Sequence, residues 1–464
     1  MIRFVSILLI LISVACLAKA QSLMHVTQLS NASGYKDVRI ALPVDCPSDA
    51  KYNTIYVLDA DYMFDLAVAV TGYLQYNEMI PPTAVVAIDY TKPEKRIDLG
   101  FNINSLSLTK NGEQFYRYIN DCLIPIVDKA FPTSGFRAII GHSYTATYLL
   151  EYLKRENPVF RSYLLFAPEY SEQALNQSNY QREYLKDKSV YIITGDKDVD
   201  ERIEFATSLR NVLRLTGMSV NLHLAANSGH MDVIAARMPE MIKFLYAGYW
   251  SPDSVYASGF LKEMSLPDIY DITDKENRDN FGQSNLLSAS NIICYLGGAM
   301  KDRDTSAVHY FTNLFRERLD SVRYVHPNAF STFADLMAKN KNYALAEQFM
   351  IRALKEYDRL GLDHQTWYPR QTFALNILAP LDKPAEAWDM LNACKNIFED
   401  DREAFSYYLA VLAERCNYRT NDAIGLLERA LLNPEVLSEN FISVEAAHKL
   451  LERLRILNHT GIRN

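Results

Sequence analysis

A side chain that forms a covalent acyl intermediate needs a presented hydroxyl, a neighbouring base and donors for the developing oxyanion. Residues Arg137–Ala146 read RAIIGHSYTA, an apolar run followed at once by Gly141-His142-Ser143. A buried strand that turns at Gly141 and restarts as a helix would lift Ser143 above the end of a sheet. The next backbone N–H, that of Tyr144, then lies beside the hydroxyl. The stretch departs from Gly-x-Ser-x-Gly, because Thr145 stands where the second Gly belongs. Gly-x-Ser is also cheap: Gly282-Gln283-Ser284 matches it with no strand before it, and an ordinary Gly-containing turn accounts for either.

Two downstream stretches give the serine company. Val190–Asp200 reads VYIITGDKDVD, an apolar strand ending in an acidic loop, and Asn227–Asp232 reads NSGHMD, between a strand and a helix. Ser143, then an Asp, then His230 is the chain order of an α/β-hydrolase triad, each member following a strand. His230 would remove the Ser143 proton and return it to the leaving group, with an acid orienting its other nitrogen. Asp198, three residues beyond Gly195, is preferred; Asp196 and Asp200 are alternatives that sequence does not separate. His142 is read as packing beside the elbow and His223 as a strand residue. His309, His326, His364, His448 and His459 lie further on without metal-ligand spacing, so no metal or cofactor is expected.

These positions need a scaffold. Strands are predicted at Val38–Leu42, Thr54–Leu58, Ala84–Ile88, Phe136–Ile140, Tyr163–Phe166, Val190–Thr194 and Val220–Leu224, mostly as continuous apolar runs. Such runs suit parallel strands covered on both faces. Helices are predicted at Met63–Asn77, Gly112–Ala130, Tyr144–Asn157, Glu201–Thr216 and Val233–Ala247. The alternation predicts an α/β class, doubly wound sheet over residues 21–250, closed at Trp250-Ser251-Pro252. The stretch from Tyr90 to Asn111 carries few structural signals and reads as a long loop.

Beyond Pro267 the strand signals fade. Asn328–Tyr357 predicts two helices around a turn at Asn340–Asn342. Small-large-small stripes recur at Ala346, Met350 and Ala353, at Ala387, Leu391 and Cys394, and at Ala423, Leu427 and Ala430. A weaker one lies at Ala307, Phe311 and Leu314. Phe441, Val444, Ala447, Leu450, Leu451, Leu454 and Leu457 predict a closing helix. These stripes resemble tetratricopeptide-type repeats, in which stacked hairpins bury small residues; a plain antiparallel bundle is the alternative. We expect a linker and first helical segment over 251–285 and an all-α, repeat-like domain over 286–464.

Length and composition agree with that division. The chain has 464 residues, more than one ordinary core needs, with 49% hydrophobic residues and few Gly or Pro, which excludes a disordered or collagen-like chain. A formal net charge of -8 without a basic run argues against nucleic-acid binding. Met1–Ala20 reads as a signal peptide, with Arg3, an apolar stretch and Ala18-Lys19-Ala20 before Gln21. A single membrane anchor or a lipoprotein at Cys16 is the alternative. The expected mature protein is secreted or periplasmic, with no integral membrane segment after cleavage. Cys46, Cys122, Cys294, Cys394 and Cys416 then remain, an odd number without C-x-x-C spacing, and most are read as buried thiols.

Over residues 35–250 the chain resembles the esterase family of α/β-hydrolases, closest to its enterochelin-esterase-like branch; the family also holds feruloyl esterases, S-formylglutathione hydrolases and antigen 85 mycolyltransferases. The matching pieces are Ile55–Asp59 (IYVLD), Arg96–Leu99 (RIDL), Gly112-Glu113-Gln114-Phe115, Leu123-Ile124-Pro125, Ser143, the Gly195–Asp198 loop and His230. Ala60, Cys122, Thr145-Ala146 and Ala167-Pro168 replace residues usual in the family. The resemblance implies a second oxyanion donor from the backbone of Asp61 or Tyr62, beside that of Tyr144. It also implies a small-molecule, glycan or siderophore-type ester as substrate. Arg96 and Asp98 read as a loop-fixing ion pair, with an anion-gripping Arg96 as the alternative. Tyr62, Met63 and Phe64 read as core or as pocket lining.

The expected function is therefore a secreted serine-dependent carboxylic ester hydrolase working through an acyl-enzyme on Ser143. A peptidase or acyltransferase would use the same triad. The alternative is a catalytically weak or inactive hydrolase-fold protein whose helical domain binds a protein or glycan partner, a reading supported by Thr145 and Ala146.

Overall fold

The computed structural model describes residues 24–29, 38–43, 51–88, 100–102, 107–169, 175, 179–251, 264–282, 289–321 and 327–461. The signal-like segment, Cys46, Arg96 and Asp98 lie outside these residues. The chain divides into two compact units, Met1–Leu287 and Ser288–Asn464.

The first unit is built on an eight-stranded sheet. Its strands are β1 (Met24–Leu29), β2 (Val38–Pro43), β3 (Tyr52–Val57), β4 (Thr83–Ala87), β7 (Thr133–His142), β8 (Ser162–Phe166), β9 (Ser189–Gly195) and β10 (Ser219–Ala225). A separate antiparallel ribbon pairs β5 (Phe101–Asn102) with β6 (Ser107–Leu108), inside the stretch expected to be a long loop. The sheet order is β1-β2-β4-β3-β7-β8-β9-β10; β2 is antiparallel to both neighbours and every pair from β4 onward is parallel. After β3 the chain adds β4 on one side and later β7 on the other. The sheet therefore reverses direction between β3 and β7, where a crevice opens outside the strand carboxyl ends.

Buried strands make this sheet because their residues face apolar neighbours on both sides. Tyr56, Ile139, Leu165 and Ile192 enter one core cluster, and Ile55, Val57, Ile140, Leu164 and Ile193 the other. α1 (Ala60–Tyr76) brings Met63, Phe64 and Ala67 to the second cluster. The long helix expected over 112–130 is broken into α2 (Lys110–Arg117), a π-helical turn (Tyr118–Leu123) and α3 (Ile124–Ala130). Pro125 explains the break, since it has no N–H for the preceding turn and its ring crowds that carbonyl. α4 (Tyr144–Tyr148) continues as a 3₁₀ turn, Leu149–Lys154. α5 (Asp200–Arg214) and α6 (Asp232–Leu245) cover opposite faces, giving Phe205 and Leu209 to one cluster and Met238 and Met241 to the other.

α7 (Leu266–Phe281), within the stretch expected as a linker and first helical segment, packs within this unit. Its Phe281 ring lies 5.5 Å from Phe136 and 5.6 Å from Tyr246, and Asn277 exchanges hydrogen bonds with both backbone groups of Trp250. Gly282, the decoy of the Gly-x-Ser search, ends α7 at φ 67°, a conformation natural to Gly.

The second unit is largely helical, with no strand among its described residues. Pro327–Lys339 and Tyr343–Arg359 form the expected pair. The Ala346, Ala387 and Ala423 stripes are buried, while in the weaker stripe Phe315 is buried where Leu314 is only partly so. The closing helix is Val444–Gly461; Phe441 precedes it with φ 56° and is 99% exposed, so it leaves the apolar stripe. Of the four described cysteines, only Cys394 is buried; Cys122 and Cys416 are half-buried and Cys294 is exposed, against the expectation that most are buried thiols.

Candidate active site

Ser143 follows β7 with φ 56° and ψ -119°, outside the regions an L-residue prefers. The surroundings impose that turn. Its N–H donates to the Phe166 carbonyl of β8 at 2.8 Å, and its carbonyl accepts from the Thr147 N–H at 3.0 Å. Gly141 is required here, because a Cβ on it would stand 2.8 Å from Ala146 N and Thr145 C. Thr145, the departure from the usual motif, is built in by hydrogen bonds: its hydroxyl donates to Asp59 Oδ2 at 2.6 Å and accepts from the His142 N–H at 2.9 Å.

Asp59 is fully buried and left-handed, φ 53°, immediately before α1. Its carboxylate ties the loop after β3 to the elbow after β7. Asp61 and Tyr62 are exposed in the first turn of α1, and the Tyr62 N–H donates to the Asp59 carbonyl at 3.2 Å. Met63 and Phe64 belong to the core.

The loops after β9 and β10 are stitched together. The Asp196 N–H donates to Ala225 O at 3.0 Å and the Lys197 N–H to Ser228 O at 2.9 Å, while Asp196 Oδ1 accepts from the Ser228 N–H at 3.2 Å. A Cβ on Gly195 would sit 2.0 Å from Ser228 O, so only Gly admits this approach. Gly229 N–H donates to Asp232 Oδ1 at 2.7 Å. These contacts aim His230 at Asp198, whose Oδ2 lies 3.0 Å from His230 Nδ1. Asp196 and Asp200 are exposed, and Asp198 is the one of the three whose carboxylate contacts His230.

Asp198 is held on its other oxygen by the Val199 N–H at 2.8 Å and by the Arg202 guanidinium. Burial pushes this carboxyl up, yet the hydrogen bonds from His230 and Val199, with the charge of Arg202, outweigh it and hold it below the usual carboxylate value. An ionised Asp198 only accepts, so Nδ1 of His230 carries the proton and Nε2 of the neutral ring keeps its lone pair.

His142 does more than pack. Its Nε2 lies 2.9 Å from the His230 carbonyl, its Nδ1 3.0 Å from the Tyr62 hydroxyl, and its ring 4.6 Å from that of His230. A carbonyl only accepts, so Nε2 carries a proton, and whenever the ring is neutral Nδ1 accepts from the Tyr62 hydroxyl. One imidazole thus joins three loops. Sequence reasoning missed this role, and also Thr145, Arg202 and Glu169. Arg202 had a legible signal, four residues after Asp198 on a helix opening; Glu169 had none. Among the described residues no group of three His, Cys, Asp or Glu is placed to hold a metal ion.

Residues 33–226 match a family model described as "Putative esterase". The matched segment holds most of the sheet described above, an arrangement typical of the α/β-hydrolase fold. Solved structures with a similar fold include an uncharacterised protein from Capnocytophaga ochracea, at 13% identity over 71% of this chain and 93% of that one, TM-score 0.50. An IroE-like serine hydrolase from Shewanella oneidensis aligns at 15% identity over 63% and 99%, TM-score 0.45. Siderophore hydrolase EstB from Aspergillus nidulans aligns at 18% over 49% and 95%, TM-score 0.38. No curated protein matches the chain.

Proposed function

We propose that the protein is a serine-dependent carboxylic ester hydrolase. The observation that carries this reading is the strained Ser143 at the sheet's reversal point, with His230 and Asp198 hydrogen-bonded at 3.0 Å on two neighbouring strand ends. Ser143 Oγ attacks the ester carbonyl as His230 Nε2 takes its proton. Asp198 stabilises the imidazolium without itself being protonated. The oxyanion is held by the Tyr144 N–H and by a donor from the first turn of α1, whose leading N–H groups have no partner within the helix. Because the Tyr62 N–H already turns back to Asp59, Asp61 is favoured for that second donor. His230 then protonates the departing alcohol and activates water to release the acid.

The inactive-module reading draws its support from Thr145, Ala146 and the long helical region; of these, the Thr145 hydroxyl, with two good hydrogen bonds, is no defect in the elbow. We assign the substrate to small esters of the siderophore or glycan type, in line with the siderophore hydrolase among the similar folds. The chain is read as exported; no described helix is long and apolar enough to cross a membrane. The helical unit is read as repeat-like on its buried alanine stripes. A fluorophosphonate probe tests the central claim. Labelling of the wild type that disappears in Ser143→Ala is expected. Labelling that persists in that variant refutes the nucleophile, and its absence from both refutes the enzyme.

A further inference from the structure

Behind Asp198 lies a second ion pair that the triad alone does not require. One Arg202 amino group donates to Asp198 Oδ1 and the other to Glu169 Oε2. The Arg202 side chain is 15% exposed and that of Asp198 2%, so water screens the first pair little. Glu169 is itself fixed. Its N–H donates to Thr147 Oγ1 at 3.0 Å, and the same hydroxyl lies 2.9 Å from its carbonyl and 3.1 Å from that of Ser143. A hydrogen-bonded path of protein groups therefore runs from the Ser143 backbone through Thr147, Glu169 and Arg202 to Asp198 and His230.

We infer that Arg202, anchored by Glu169, is a positioning residue that fixes the aim of Asp198 and lowers the basicity of His230. The inference rests on the esterase reading for its catalytic meaning, though not for its measurement. An Asp oriented only by backbone would present its whole charge to the imidazolium. Here a guanidinium shares that carboxylate and repels the charge that forms on the ring, so His230 loses its proton more readily. Glu169 offsets part of the Arg202 charge and keeps the effect moderate. Among the described residues, the other charged or titratable groups in contact with this region include His142 against the His230 ring, Tyr62 beyond it, and Asp196 and Asp232, which take the Ser228 and Gly229 N–H groups. None of these contacts the second oxygen of Asp198. That position belongs to Arg202 and the Val199 N–H.

The test is an NMR titration of ring-labelled histidines in the full chain, with the His230 signal identified by its loss in His230→Asn. Arg202→Met should raise the His230 midpoint by about one pH unit, and Glu169→Gln should lower it by about half a unit. Arg202→Lys keeps the charge without the fork and should fall between wild type and Arg202→Met. The acid limb of kcat/KM for a p-nitrophenyl ester should move with these midpoints. A merely structural clamp would lower kcat and leave the midpoints in place. An unchanged midpoint in Arg202→Met, or shifts of the same sign in Arg202→Met and Glu169→Gln, overturns the inference. Should Arg202→Met not fold, a Glu169→Gln midpoint that fails to fall overturns it alone. Fluorophosphonate labelling of wild-type Ser143 reports separately on the esterase reading, so loss of one conclusion is not mistaken for loss of the other.

Discussion

Replacing Thr145 with Val removes one hydroxyl from the elbow and keeps its shape, which makes the energetic consequence simple to work out. Thr145 is 4% exposed and Asp59 is fully buried. The hydroxyl has a single proton, and the 2.6 Å contact to the Asp59 carboxylate is where it goes, ahead of the His142 carbonyl at 3.0 Å. A hydrogen bond to a charged acceptor contributes about 1.5–3 kcal/mol, and a buried N–H left without its acceptor costs about 1–3 kcal/mol. The His142 N–H is in that second position once the oxygen is gone. Thr145→Val should therefore cost about 3 kcal/mol, while Thr145→Ser, which loses only a methyl group, should cost about 1 kcal/mol. Urea unfolding of both variants beside wild type, followed by circular dichroism, measures the difference. Equal losses for Val and Ser, or a Val loss below about 1 kcal/mol, would refute the claim that the hydroxyl ties the two loops.

Ser143→Ala and His230→Ala should each lower kcat on a short p-nitrophenyl ester by at least about a thousandfold with little change in Tm, since each removes chemistry and little packing; a tenfold loss would count against the triad. Asp198 has its folded-state pKa depressed, so its contribution to stability is present above the ordinary carboxylate value and disappears as pH falls through the lower folded value. The Tm gap between wild type and Asp198→Asn should accordingly be steady near neutrality and close below about pH 4, and a gap that widens in acid would contradict the ionised, paired carboxylate. Phe281→Ala should destabilise the first unit by about 3–4 kcal/mol, because the ring is 6% exposed among Phe136, Tyr246 and Tyr249. A chain ended after Trp250 should show the same weakness, and equal stability of chains ended at Trp250 and Leu287 would remove α7 from that unit.

The sheet was legible because its central strands are runs such as Ala138-Ile139-Ile140 and Ile192-Ile193, buried on both faces and readable without periodicity. β1 escaped notice since it is an edge strand with only Met24 buried, and exposed alternation over six residues resembles a loop. The π turn at Tyr118–Leu123 was hidden because apolar spacing is similar on either side of Pro125. At the site, Ser143 and His230 were singled out from strand ends in chain order, while Asp198 was preferred over Asp196 and Asp200 without a sequence feature that separates them. Thr145, His142 and Glu169 were not legible as partners, as their contacts span 22 to 88 residues of chain and depend on which strand lies beside which. The link from Asp59 to Thr145 is likewise one that no spacing rule supplies.

The residue just past each of β7, β8 and β9 borrows a carbonyl at or near the end of the neighbouring strand: Ser143 from Phe166, Ala167 from Ile193, Asp196 from Ala225. The pleated ladder is thereby extended one rung beyond the strands, across three successive strand ends. Ser143 is hung from the framework and not from the loop segments beyond the strand ends. Those segments are then free to diverge in length and chemistry over evolutionary time without retuning the serine.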